Sequence, residues 1–267
     1  DSENPVGGGA LFNKGGVITL DLDTSITGNT ALGVSGSGGG IFNDDGRIIA
    51  LGATIPGNLA NRAGGGIEDK ITNSTPSAQM PSILLTNVTL DGNGAGTDAA
   101  GAPSADANPG NGGGLHVSGP GYVLVNSGTV SGNFAAREGG GLWNNAAPST
   151  LGVSGTTFDA NTALGSDSEN PVGGGALFNK GGVMAVANAT IMNNAATGET
   201  GGSGGGILNS GGQLAVSGTQ FSGNTAVRAG GAIEDNSTSG STTVDLFNVT
   251  MDANVVGPTP GNGGGLH

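Results

Sequence analysis

Short hydrophobic segments with two-residue alternation, set apart by glycine and asparagine, run the length of the chain. Val123-Leu124-Val125 and Leu214-Ala215-Val216 are examples. Alternation of period two marks a strand with one buried face. No helical periodicity appears anywhere, so the pattern predicts strands and no helices. Two motifs frame these segments. The first reads Gly-Gly-[Ala/Gly]-[Leu/Ile]-x-[Asn/Asp] and begins at residues 8, 38, 64, 112, 139, 174, 204, 230 and 263, the copies at 112 and 263 reading GGGLH. The second is a hydrophobe, two other residues and Asn. It occurs as Ile26/Asn29, Ile55/Asn58, Leu90/Asn93, Val130/Asn133, Phe158/Asn161, Ile191/Asn194, Phe221/Asn224 and Met251/Asn254.

The two motifs alternate strictly, and successive glycine motifs lie 26 to 48 residues apart. Each repeat therefore holds three strand-like segments separated by turns. This predicts an all-β, right-handed parallel β-helix of about eight coils of three short strands, each strand pairing with its counterpart one coil away. At about 4.8 Å per coil the rod would be roughly 40 Å long. Inward positions would be Val, Leu, Ile and some Phe. Asn29, Asn58, Asn93, Asn133, Asn161, Asn194, Asn224 and Asn254 would stack into a structural ladder, because an amide both donates and accepts along the axis. Each such bond would contribute about 0.5–1.5 kcal/mol.

A longer period overlies the coils. Residues 167–183 duplicate residues 1–17 without a change, and the motif order then repeats. The chain reads as one continuous β-helix, 1–267, built of super-units 1–166 and 167–267, the second incomplete. His267 matches His116 in mid-strand, so a segment of a longer tandem array, or one completed by a neighbour, is expected. Asp1 opens no signal peptide, as in a mature or excised piece.

Composition fits this reading. Glycine accounts for 58 of 267 residues, a share that signals coil when aperiodic but here recurs at fixed points of each repeat. The net charge of −13 argues against nucleic acid, which needs clustered cations. Cysteine is absent, which removes disulfides and thiolate chemistry. No apolar run is long enough to span a membrane, so no direct membrane insertion is expected.

GGALFN at 8–13 and 174–179, with FSGN at 221–224 and FDAN at 158–161, resembles the two signatures of the polymorphic membrane proteins, autotransporter adhesins of chlamydiae. More widely, the chain resembles bacterial surface proteins with right-handed parallel β-helix repeats. Some copies depart from the pattern: GGGIED lacks the Asn, and Ile or Met often replaces Phe. The resemblance implies an extracellular, cell-surface, bacterial protein with an adhesive role.

Candidate chemistry is sparse. The longest connection, residues 94–111, carries Asp98 and Asp106 and could recognise a ligand or be a spacer. Arg62, Arg137 and Arg228 occupy one position in three connections, and two of them precede Glu68-Asp69 and Glu234-Asp235. Clustered acids with Arg do the chemistry of β-helix polysaccharide lyases. Adjacent Glu and Asp point to opposite faces of a strand, however, so surface ion pairs of about 0–1 kcal/mol are expected. His116 and His267 are equivalent positions, too far apart to act together and without metal-ligand spacing. Acidic turns such as Asp44-Asp45 raise calcium as a cofactor, but no RTX repeat occurs; no catalytic, cofactor or metal site is expected. Thr54, Thr89, Thr129, Thr157, Thr190 and Thr250, with Ser25 and Gln220, should form an outward row, as on ice-binding solenoids. The positions two further on (Pro56, Asp91, Met192 among them) do not continue it. Asn-x-Ser/Thr at Asn73, Asn87, Asn188, Asn236 and Asn248 reflects composition.

The expected function is therefore a structural or adhesive rod segment of a long extracellular bacterial surface protein or filament, acting by stiffness and repetition, without enzyme activity or cofactor. Its partners would be itself, by end-to-end stacking or continuation, and a cell-surface glycan or protein. The alternatives are a carbohydrate-active β-helix enzyme and an ice- or ligand-binding Thr-row solenoid.

Overall fold

A computed structural model describes residues 6–104, 108–146, 148–165, 172–199, 201–237, 243–258 and 261–267. Among these there is no helix. The strands stack as a parallel β-solenoid of about eight turns, with three sheets running along the stack, two of eight strands and one of thirteen, plus two two-stranded pairs. The glycine motifs form one eight-stranded sheet, from Leu11–Lys14 through Ile67–Lys70, Leu115–Ser118 and Leu142–Asn144 to Ile233–Asp235. Equivalent motif residues pair one coil apart: Leu11 with Ile41, Ile41 with Ile67, Ile67 with Leu115.

The three strand segments of each repeat do not map one to one onto the three sheets. The alternating segment and the hydrophobe before the ladder Asn share the thirteen-stranded sheet. They even form single strands at Ile83–Asp91 and Tyr122–Ser131. The bend between them falls on a left-handed residue: Gly52 (φ 71°), Asn87 (54°), Ser127 (60°), Asn188 (51°) and Asn248 (51°). Gly and Asn tolerate that region best. Conformation thus explains why Asn87, Asn188 and Asn248 recur at one repeat position. The third sheet is made of two-residue strands directly after each ladder Asn, from Thr30–Ala31 to Val255–Val256. Its inward residue is Ala in most coils (Ala60, Ala95, Ala135, Ala163), each fully buried.

The core is a set of homologous aliphatic rows. Ile48, Ile83, Val123, Leu151, Met184 and Leu214 are paired in register and belong to one buried cluster with the motif residues Ile41 to Ile233. The corner glycines let coils approach closely. Gly64 has φ +62°, and a Cβ on Gly65 would sit 2.5 Å from the carbonyl oxygens of Gly113 and Gly94.

Eight asparagines line the corner between the long sheet and the short one. Each Nδ2 from Asn29 to Asn224 donates to Oδ1 of the ladder Asn in the following coil at 2.8–3.0 Å. The same Oδ1 also accepts the preceding Asn's backbone N–H at 2.9–3.1 Å. From Asn58 on, the second Nδ2 hydrogen goes to a main-chain carbonyl of the preceding coil at 2.8–3.2 Å. Every amide from Asn58 to Asn224 is buried, at 0–1% exposure, and uses its full bonding capacity.

Asn133→Ala should therefore destabilise the chain by about 2–4 kcal/mol. It deletes four bonds and orphans two buried donors of Asn93, at about 1–3 kcal/mol each when unpaired. Thr129→Ala, on the outward face of the same coil, should stay within about 0.5 kcal/mol. Urea denaturation of both variants checks this; equal midpoints would contradict the ladder's role.

Candidate functional site

Along each glycine-motif strand, the Leu or Ile points into the core and the next residue points out. These outward residues form a row of Phe12, Phe42, Glu68, His116, Trp143, Phe178, Leu208 and Glu234, in register coil by coil. Although they face away from the core, Phe42, Glu68, His116, Trp143, Phe178, Leu208 and Glu234 are all buried. Trp143, Phe178 and Leu208 form a second small hydrophobic cluster. The rings stack along the axis, with His116 on Trp143 at 4.3 Å and Trp143 on Phe178 at 5.9 Å. Lys180 Nζ lies 5.7 Å from the Trp143 ring centroid.

The expectation of surface ion pairs is overturned here. Glu68 is fully buried. It accepts from His116 Nδ1 at 2.9 Å and from the Ser118 hydroxyl, and Arg62 Nη1 lies 3.6 Å away. Burial pushes its carboxyl up, but the charge and hydrogen bond of His116, the charge of Arg62 and the Ser118 bond outweigh it. The carboxyl is held below the usual carboxylate range. The arrangement recurs once: Glu234 accepts from Arg228 Nη1 at 2.8 Å and from His267 Nδ1 at 2.8 Å. In both copies the arginine also donates to a serine, Ser37 or Ser203, at 3.0 Å. The histidines that spacing left without a partner thus each have one. Glu68 and His116 are 48 residues apart in sequence but occupy the same slot in adjacent coils.

A groove of about 430 Å³ lies over this row. His116, Trp143 and Phe178 line its floor. Ser118, Asn145, Lys180, Ser210 and Asn236, two strand positions further on, line one wall. Arg62, Pro109, Asn111, Arg137 and Glu138 line the opposite corner. The long connection thus ends at the groove through Pro109 and Asn111. Asp98 of that connection accepts Ala100 and Ala102 N–H within its own turn, and Asp106 lies outside the described residues. Around the groove, Asn111 Nδ2 and Trp143 Nε1 both donate to Glu138 Oε2, at 3.3 and 3.1 Å.

Two features escaped the sequence reading. The last motif position forms a second polar ladder, inside the coil. Asn13 donates to Asn43, and Asn43 to Asp69, both at 2.8 Å; Asn144 donates to Asn179, Asn179 to Asn209 and Asn209 to Asp235, at 2.9, 2.8 and 2.7 Å. Val117 interrupts the row. Each run ends on an aspartate, which only accepts when ionised. The second feature is an excursion over residues 72–82, pinned at Asp45. The Asp45 Oδ1 accepts the N–H groups of Thr72, Asn73 and Ser74 at 2.8, 2.8 and 3.1 Å. Burial raises the Asp45 carboxyl, but these bonds and that of Asn73 Nδ2 overcome it and hold the group well below its usual range.

Thr54, Thr89, Thr129, Thr157, Thr190 and Thr250 stack in register, with Ser25 and Gln220, on the outer face of the long sheet. Beside them run Pro56, Asp91, Ser131, Asp159, Met192, Ser222 and Asp252 in the same strands. Asp44 lies 3.3 Å from Lys70 Nζ. Among the described residues no three His, Cys, Asp or Glu side chains converge. No protein-family model matches the chain, and no curated protein or solved structure proves similar to it.

Asp69 gives the site a pH signature. It is fully buried, bonded to Ser82 Oγ at 2.6 Å and to Asn43 Nδ2. Burial, which the Ser82 and Asn43 bonds only partly offset, raises its carboxyl from 3.8 to about 7, with the Glu68 and Asp45 charges adding to the rise. The folded chain therefore holds a proton that the unfolded chain releases between pH 3.8 and about 7. That stability is full below the lower value and is lost as pH rises through the upper one. Asp69→Asn, the residue used elsewhere in the row, should flatten this slope and be the more stable form at pH 8. Denaturation midpoints at pH 5 and pH 8 test it; an unchanged slope in the variant would refute the assignment.

Proposed function

We propose that the chain is a stiff rod segment of an extracellular bacterial surface protein, acting through length, rigidity and repetition, with an adhesive role. The observation that carries this reading is the asparagine ladder, unbroken from Asn29 to Asn254. From Asn29 to Asn254 it locks each coil to the next through a side-chain bond. The 166-residue super-unit supports continuation of the stack through further copies, and the resemblance to autotransporter adhesins supports the location. The reading needs no cofactor.

A second reading, a carbohydrate-active enzyme, is favoured by one feature. His116 is held at Nδ1 by a buried glutamate beside Arg62, and an oriented imidazole can transfer protons. Incubation with acidic polysaccharides separates the two: new chain ends would support the enzyme, and intact polymer the rod.

The rod itself is tested by small-angle scattering on chains carrying one, two and three super-units. Five coils at about 4.8 Å should add roughly 24 Å of length per unit, linearly. Growth as the square root of length, as for a flexible chain, would overturn it.

A further inference from the structure

The groove over the outward row differs in charge from the rest of the molecule. The chain has 7 cationic and 20 acidic side chains. Among the described residues, the cations Arg62, Arg137 and Lys180 line the groove, against Glu138 in the lining and the buried Glu68 that pairs with Arg62 beneath it. On a chain of net charge −13, this is a local excess of positive charge in a concave site, which concentrates anions. The cations come from different coils and from both walls. Arg62 and Arg137 sit in one corner column with Gly110 between them, since Gly110 N–H donates to the Arg62 carbonyl and Arg137 N–H to that of Gly110. They are thus two coils apart, roughly 10 Å along the axis.

The groove is also elongated. One wall carries Ser118, Asn145, Lys180, Ser210 and Asn236, one residue from each of five successive coils, so it follows the rod for roughly 20 Å. Its neutral members are hydroxyls and amides, which both donate and accept. At the floor and corner, two buried polar atoms, His116 Nε2 and Asn111 Oδ1, have no hydrogen-bond partner among the described residues. Asn111 Oδ1 can only accept, so a simple oxyanion cannot satisfy it, whereas a hydroxyl can. A ligand matching this site presents oxyanions at intervals, hydroxyls between them, and an extended backbone. Hexose units in a linear chain advance by close to one coil spacing.

We propose that this groove binds a linear acidic saccharide lying along the rod axis. Its carboxylates or sulfates pair with Arg62, Arg137 and Lys180, and its hydroxyls bond to the Ser and Asn wall and to Asn111. The proposal deepens the adhesive reading above, on which it rests only for the place where such a saccharide is met.

Titration calorimetry with the full chain tests it. The probes are an oligogalacturonate, a heparin-derived oligosaccharide of similar length, a neutral cello-oligosaccharide and sodium sulfate. The expected result is saturable binding of at least one acidic oligosaccharide, with the neutral oligomer and sulfate too weak to measure. Binding of the oligogalacturonate shows that carboxylates suffice, and binding of the heparin oligosaccharide alone, which carries both carboxylates and sulfates, shows that sulfates are required. Lys180→Gln and Arg137→Gln should each weaken binding about tenfold, as loss of a charge-assisted bond does, and affinity should fall as salt shortens the Debye length below about 8 Å. Lys180 is exposed, so its variant keeps the fold if the Arg137 variant does not. Equal binding of the neutral oligomer, no binding of either acidic one, or an unchanged affinity in Lys180→Gln would each overturn the proposal. The scattering series is indifferent to all of these outcomes, so failure of the groove and failure of the rod are distinguishable.

Discussion

In a parallel coil stack every side chain meets its own counterpart about 4.8 Å away along the axis. That constraint governs the rest of the molecule. Aliphatic residues satisfy it without difficulty, and so do amides, because an amide is donor and acceptor at once. An asparagine at one corner therefore bonds to the same asparagine one coil on, indefinitely, and fully satisfies a buried polar row. The geometry has a direction: Asn58 gives Nδ2 to Asn93 and takes from Asn29. A row that must stop can do so on an aspartate. The inner ladder does this at Asp69 and Asp235, and at Asp69, which is fully buried, burial suppresses the carboxyl's ionisation.

Charged residues cannot obey the self-pairing rule, because identical charges would lie against each other. The outward row resolves this by changing chemistry between coils. Glu68 is followed by His116, then Trp143, then Phe178, and Arg62 closes on Glu68 from the corner. Removing one partner of such a buried pair would leave an uncompensated charge. The break in self-similarity is thus what creates a site: where the row is heterogeneous, polar atoms face a groove, and where it is homogeneous, the surface is only a repeated face.

The rows of the fold were legible because they rest on one residue type at one spacing. Ile55/Asn58 through Met251/Asn254 could be aligned by eye. The assignment of strands to sheets was harder. It turns on the left-handed bend at Gly52, Asn87 and Asn188, which spaces two segments like separate strands yet leaves them in one sheet. The Glu68–His116 pair was hidden by distance along the chain, since the long connection before Asn111 separates them. The signal was present: GGGIED and GGGLH place Glu and His in the same motif slot, and adjacent slots stack. Burial was not legible, because an outward strand position reads as exposed unless the flanking corners are known to rise above it.

The groove does not belong to one super-unit. His116 and Trp143 come from the last coils of the first unit, while Phe178 and Lys180 come from the opening coil of the second, in the stretch identical to residues 1–17. At that junction Trp143 stacks on Phe178 at 5.9 Å, and Lys180 Nζ lies 5.7 Å from the Trp143 ring centroid. The site is therefore a property of the boundary between units. In the proposed array, each added unit creates one more boundary. Weak contacts at successive boundaries on one stiff axis then act together, because rigidity fixes their separation and raises the effective concentration of each for the next.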